Sequence, residues 1–281
     1  MDAARSMWTL FEPIHSVVYF APEARAAFEE AGLRGFWRGY FAGRAAPLGA
    51  VGPGPVYAMF FGFRRAMVER ALPDVWRRMD PATALAVRRD GTRTALERLL
   101  STVDSSGDAE AATLIRAAAE AADLTGRPLA AANADLPWPD DPLAVIWHAT
   151  TVLREHRGDG HVAALVAAGV DGCGSHAWRT AVDGGRDVVQ PIRGWTDEEW
   201  ATATDQLVER GWVRPDGTAT DAGRAARQEL EATTDRLATR PWQAIGPDAT
   251  RRLAGLLTPI AEAAAKEMPY PNPIGVPNPN P

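Results

Sequence analysis

The sequence predicts a mainly α-helical protein, on three observations. Apolar residues recur at helical spacing along most of the 281 residues. Helix starts are signalled by Pro, Asp or Thr, and stops by Gly. The one stretch that suits paired strands is short, "GWVRPDGTATDAG".

From the N-terminus, "MWTLFEPIHSVVYF" has helical periodicity around Pro13, which starts or kinks a helix there. "PEARAAFEEAG" follows as a short helix, with Pro22 at its first position and Gly32 at its end. "LRGFWRGYFAGRA" is a third helix, ended by the Gly/Pro-rich turn "PLGAVGPGP". "VYAMFFGFRRAMVERAL" and "PDVWRRM" give two more. Pro81 opens a helix to about Leu100, and Asp108 is placed to cap "AEAATLIRAAAEAADL".

"TGRPLAAANADLPWPDDP" is rich in Pro, Asp and Asn, and divides the chain. The expected organisation is a helical domain over 1–125, a linker over 126–142, a second domain over 143–268 and a Pro-rich tail over 269–281. The second domain opens with "LAVIWHATTVLREHR", which the glycines of "HRGDGH" should turn sharply into another helix, Asp159 capping it. Helix "GSHAWRTAVDGG", extended "RDVVQPIRG" and helix "TDEEWATATDQLVERG" come next. "WV" and "TAT" can then pair across Pro215-Asp216-Gly217, with Thr220 capping the last helix. Helix, small β-turn, helix is a winged-helix layout.

The stretch "LVERGWVRPDGTATDAGRAARQELEATTDRLA" resembles the wing and final helix of MarR-type winged-helix proteins. More widely, "WTLFEPIHSVVYFAPEARAAFEEAGLRGFWRGYFAGRAAPLG" and "LREHRGDGHVAALVAAG" are similar to an actinobacterial family of conserved hypothetical proteins labelled helix-turn-helix. That resemblance covers most of the chain and implies a fold with no assigned reaction. The fold class expected is mainly α: a winged-helix, MarR-like C-terminal domain plus a helical N-terminal domain, itself a candidate divergent winged-helix duplicate.

The resemblance would also imply DNA as a partner, and charge argues against it. Net charge is −6 and the isoelectric point about 5.5, whereas phosphate binding needs a basic surface. The helix before the wing holds Asp197, Glu198, Glu199, Asp205 and Glu209 against Arg210. No apolar run reaches the roughly 20 residues of a membrane span, and the N-terminus has no secretory pattern. A single cysteine, Cys173, excludes an intrachain disulfide, so a cytoplasmic setting is expected.

Chemistry-bearing residues concentrate in two places. His156, Asp159 and His161 fall within six residues, and His148 lies two turns before His156. A metal site from these matches no established spacing. Acid–base work by His156, Asp159 and His161, or polar anchoring of a small molecule, are the functional readings; a capped turn is the structural one. In the N-terminal half, His15 and Tyr19 share a helix face, with Glu12 placed to orient His15. Trp37, Tyr40 and Arg44 form an aromatic stripe with a cation, and Arg38 projects elsewhere. Such stripes build cores, or line a pocket in which Arg38 or Arg44 holds an anion.

The function expected is small-molecule binding, with turnover left open, in a cleft between the halves lined by aromatics, Arg and His. The alternative is a ligand-responsive DNA-binding regulator acting as a homodimer. No cofactor is named by the sequence. The tail "PYPNPIGVPNPNP" is expected in polyproline II or disordered form, with a groove of its own protein as another resting place.

Overall fold

The structure, a computed structural model, describes residues 3–277. Its helices are α1 (Ala3–Phe20), α2 (Pro22–Glu30), α3 (Phe36–Ala45), α4 (Pro53–Phe60), α5 (Arg65–Glu69), α6 (Asp74–Arg78), α7 (Pro81–Leu99) and α8 (Asp108–Glu120). The second half adds α9 (Pro128–Ala134), α10 (Pro142–Ala167), α11 (Gly172–Asp183), α12 (Arg186–Arg193), α13 (Asp197–Glu209), α14 (Asp221–Leu237) and α15 (Arg240–Ala265). No described helix is long and apolar enough to cross a membrane.

Local chemistry explains where these helices begin. Proline opens α2, α4, α7, α9 and α10, where its missing N–H would have had no partner. Asp80, Asp141 and Asp171 accept from the N–H groups of Thr83, Ala144 and Gly174. Thr196 and Glu199 form a reciprocal capping box on α13, and Thr220 caps α14 through Gly223 N–H. A Cβ at Gly223 would run into the Trp212 carbonyl, so only glycine lets the start of α14 lie on the chain leaving α13.

Several expectations need correction. "HRGDGH" is not a turn: α10 runs unbroken through it. Gly160 is there for packing, since a Cβ would stand 2.7 Å from Arg127 Nη1. That guanidinium crosses α10 to donate to the carbonyls of His156 (2.6 Å) and Leu237 (2.7 Å). "RDVVQPIRG" is helical, as α12. "VYAMFFGFRRAMVERAL" breaks into α4 and α5, and "GPGP" starts α4 rather than preceding it. Gly107, not Asp108, occupies the cap position of α8. The stretch expected as a linker contains α9, and the expected strand pair is reduced to one antiparallel bridge, Val213 with Ala219.

Three apolar cores hold these pieces. The first joins α1, α7, α8, α10 and α15, around Phe11, Ile14, Ile115, Ile146 and Leu257. Its members come from both ends of the chain, because α15 packs along α1. The second core gathers Phe28, Leu33, Phe41, Phe60, Phe63, Leu72 and Val75 from α2 to α6. The third, around Trp178, Trp200, Leu207 and Val213, unites α11, α12, α13 and the bridge with the end of α10. Each large side chain fully buried in this way is worth roughly 1.5–3 kcal/mol. Arg64 ties the second core to the third through Glu199 (2.8 Å), as does Trp195 Nε1 donating to Gly62 O (3.0 Å).

Candidate functional site

Where the cores meet, they leave a cleft of about 590 Å³. Helix α1 supplies Arg5, Trp8 and Glu12, α3 supplies Arg44, and the α4–α5 joint supplies Phe60, Phe61 and Gly62. Helix α10 adds Arg154, Arg157 and His161; α11 adds His176 and Arg179; α12 adds Arg193. The remaining walls are Arg227, Glu231 and Asp235 of α14, and Pro273 to Gly275 after α15.

The joint is strained. Gly62 N–H donates to the carbonyl of Phe60 at 2.6 Å, closing a three-residue γ-turn with Phe61 at its centre. Phe61 has φ +52°, the one positive φ among non-glycine residues described. A conformation of this kind costs about 1–3 kcal/mol and tends to mark working parts of a protein. It is held by α11, because a Cβ at Gly172 would meet the Phe61 carbonyl.

Most of the arginines are spent on carboxylates. Arg44 clamps Glu155 through two bonds of 3.0 Å, and Arg154 bridges Glu155 (2.8 Å) to Glu12 (3.3 Å). Burial alone would raise the Glu155 carboxyl, but Arg154 and Arg44 outweigh it and hold the group well below the usual carboxylate range. On the opposite wall, Arg5, Arg157 and Arg227 all reach Glu231, and Arg5 and Arg157 also reach Asp235. Glu231 sits at about 2, its burial overcome by Arg227, His161, Arg157 and Arg5. Trp8 is flanked by Arg157, 4.5 Å from its ring, and Arg5, 5.2 Å away, and donates to Glu12.

Arg179 and Arg193 are different. Among the described residues they are in no ion pair, and each donates instead to the carbonyl of Pro273, at 3.1 and 3.0 Å. Burial, then the charges of Arg193 and Arg227, bring Arg179 down to about 10. Burial also lowers Arg193, opposed by the Tyr40 phenol beside it, with repulsion from Arg44 and Arg154 adding to the burial. Both are cations at neutral pH. Among the described residues, Arg193 Nε, Arg157 Nε and His176 Nε2 are buried without a hydrogen-bond partner.

The residues singled out from sequence fall into separate places. His156, Asp159 and His161 do not converge: His156 and Asp159, one turn apart on α10, take different partners, and His161 lies on another side of that helix. His156 Nε2 pairs with Asp123 (2.9 Å), away from the cleft. Asp159 accepts from Leu129 and Ala130 N–H, capping α9 from outside. Only His161 reaches the cleft, its Nδ1 bonded to Thr234 Oγ1 at 2.9 Å. His148 is buried against Trp138, 4.7 Å ring to ring, and lines neither the cleft nor the aromatic hollow.

The N-terminal set comes together in part. His15, Tyr19, Tyr40 and Arg44 line a hollow of about 30 Å³, room for about two waters. His15 is oriented by Thr151 (3.0 Å) and Tyr19 (3.1 Å), not by Glu12. Trp37 packs edge-on against Tyr40 and Phe63, as core. Arg38 is exposed, bonded to the Arg34 carbonyl. Cys173 is buried and its thiol pushed up to about 12 by desolvation, so it is unreactive.

Sequence reasoning missed Arg179 and Arg193 as a pair. Arg193 follows buried Val189 by four residues, a helical spacing that the intervening Pro191 masks in the sequence.

The chain belongs to a helix-turn-helix family, whose sequence model matches residues 4–271. No curated protein and no solved structure matches it.

Proposed function

We propose that this chain is a small-molecule-binding protein that takes an organic anion in the arginine-lined cleft, on a helix-turn-helix scaffold that does not read DNA. The observation that carries this reading is the charge balance of the cleft. In a protein of net charge −6, two half-buried guanidiniums have no carboxylate partner among the described residues. An uncompensated buried cation is unfavourable, so a cleft that keeps two of them suits a ligand that brings the missing charge. The volume lies inside the roughly 300–1,000 Å³ range of small-molecule sites. Phe60, Val162 and Leu165 offer an apolar wall for the rest of such a molecule. Dispersal of His156, Asp159 and His161 favours binding over acid–base conversion.

Thermal melts with inorganic phosphate, phenyl phosphate and benzoate test this. A ligand at a hundred times its Kd adds about 2.7 kcal/mol, which at this chain length raises the melting temperature by roughly 5 °C. Arg193→Met should abolish the rise. No response to any anion, or an equal response from the variant, would sink the proposal.

The family favours a second reading, a ligand-responsive DNA-binding regulator. Against it, α13 exposes Asp197, Glu198, Asp205 and Glu209, and Arg210 is engaged by the carbonyls of Ala168 and Gly169. On the wing, Arg214 bonds the Ala219 carbonyl. Fluorescence polarisation with mixed duplexes at low salt separates the readings: micromolar binding with a steep salt slope favours the regulator.

A further inference from the structure

Residues 269–277 of the Pro-rich tail, expected in polyproline II or disordered form, instead fold back onto the protein, and residues 278–281 of that tail lie outside those described. Asn272, 5% exposed, organises it. Its Oδ1 accepts from the N–H groups of Ile274 (3.2 Å), Gly275 (2.8 Å) and Val276 (3.1 Å), and its Nδ2 donates to the Val276 carbonyl (2.8 Å). Tyr270, Ile274 and Val276 pack on the first core. The resulting strap, residues 272–276, aims the Pro273 carbonyl into the cleft, where Arg179 and Arg193 both donate to it. Gly275, at φ +91°, passes so close that a Cβ would stand 2.9 Å from Arg179 Nη1.

A carbonyl is a weak partner for two cations. It accepts two hydrogen bonds and neutralises neither charge. Of the cleft's carboxylates, Glu12, Glu231 and Asp235 are engaged by other arginines, and Asp183 acts on Arg179 only at a distance, in no ion pair among the described residues. Arg193 and His176 line the same space, and among the described residues the buried Arg193 Nε and His176 Nε2 have no hydrogen-bond partner.

We propose that Arg179 and Arg193 form the subsite for the acid group of the ligand, a carboxylate or a phosphate, and that the Pro273 carbonyl holds its place until the ligand displaces the strap. This rests on reading the cleft as an anion site. A charged oxygen makes the same two N–H···O bonds as the carbonyl and adds the charge that the carbonyl lacks. The strap is then a competitor within the same chain, and lowers apparent affinity by the fraction of time it is seated.

Two substitutions loosen the strap while leaving both arginines in place. Asn272→Ala removes the acceptor that closes the turn. Gly275→Ala adds a Cβ against Arg179 at a backbone angle that alanine disfavours. Affinities of the full chain for phenyl phosphate and benzoate would be measured by calorimetry, with amide exchange followed over 270–277. Both variants should bind the preferred probe about tenfold more tightly than the unsubstituted protein. In the unsubstituted protein, saturating probe should speed exchange at Ile274, Gly275 and Val276. The arm that binds more tightly tells phosphate from carboxylate, and Arg179→Met with Arg193→Met should bind neither. Equal affinities with unchanged exchange would overturn the strap while leaving the anion cleft standing. No binding by any form would overturn both. If Asn272→Ala fails to fold, Gly275→Ala and the exchange data decide alone.

Discussion

At the scale of single residues, burial keeps all five histidines of the chain neutral. Desolvation is the largest cause for His15, His148, His156, His161 and His176 alike, and each is lowered by it. His161 lies at about 4, faced by Glu231 and Arg227 from α14, Arg157 from α10 and Arg5 from α1. An unfolded histidine takes its proton near 6.5, while the folded His161 and His148 wait until about 4. Their stabilising contribution is therefore complete above 6.5 and is lost as pH falls towards 4, on the order of 3 kcal/mol each. Asp159, raised to about 6 mainly by burial, works the other way, since the folded state takes up its proton first. The histidines outnumber it. Melting temperature should fall steeply from pH 6.5 to 4, and more gently in His161→Gln. A slope that the variant leaves unchanged would refute the assignment to His161.

Glu155 is the second residue on which much depends. Its side chain is 2% exposed and compensates Arg44 and Arg154 together. Glu155→Gln leaves two buried cations short of charge, and urea titration should show a loss of about 3–5 kcal/mol. Glu69→Gln, which breaks an exposed pair with Arg65, should cost no more than about 0.5 kcal/mol. Similar losses from both would mean that the surroundings of Glu155 are wetter than their packing implies.

At the scale of elements, starts were legible and context was not. Pro22, Pro81 and Thr220 mark true helix origins, because a missing N–H or a capping hydroxyl acts within one turn of chain. Gly158-Asp159-Gly160 carries every local sign of a turn, yet α10 continues through it. The reason lies far off in sequence: Gly160 clears a path for Arg127, and Asp159 caps α9 rather than its own helix. Helix α9 has Arg127 at its cap position with no side chain to accept from its first N–H groups, so it borrows an acceptor. Asp159→Ala should lose about 1–2 kcal/mol by urea titration. Asp159→Asn, which keeps an acceptor oxygen and drops a charge near Glu155, should lose less. Equal losses from the amide and from alanine would show that the charge, not the acceptor oxygen, is what counts.

At the scale of the whole molecule, α10 contributes Ile146 and Leu153 to the first core and Leu165 to the third. A shared helix of 26 residues makes separate melting of the two cores unfavourable. Far-ultraviolet dichroism and tryptophan fluorescence should give one coincident transition, and two resolved steps would contradict it. The cleft belongs to this scale too, which is why so little of it was legible. Arg5, Arg179, Arg193 and Arg227 come from four helices whose meeting no local pattern announces.

The packing of α15 along α1 also bears on how the protein is made. Helix α1 leaves the ribosome early, with Phe11 and Ile14 facing a partner still to be translated. At ~5–20 residues per second, that face stays uncovered for on the order of tens of seconds. The first core therefore closes only after synthesis has reached α15, and the nascent chain is open to chaperones, or to aggregation, throughout that interval.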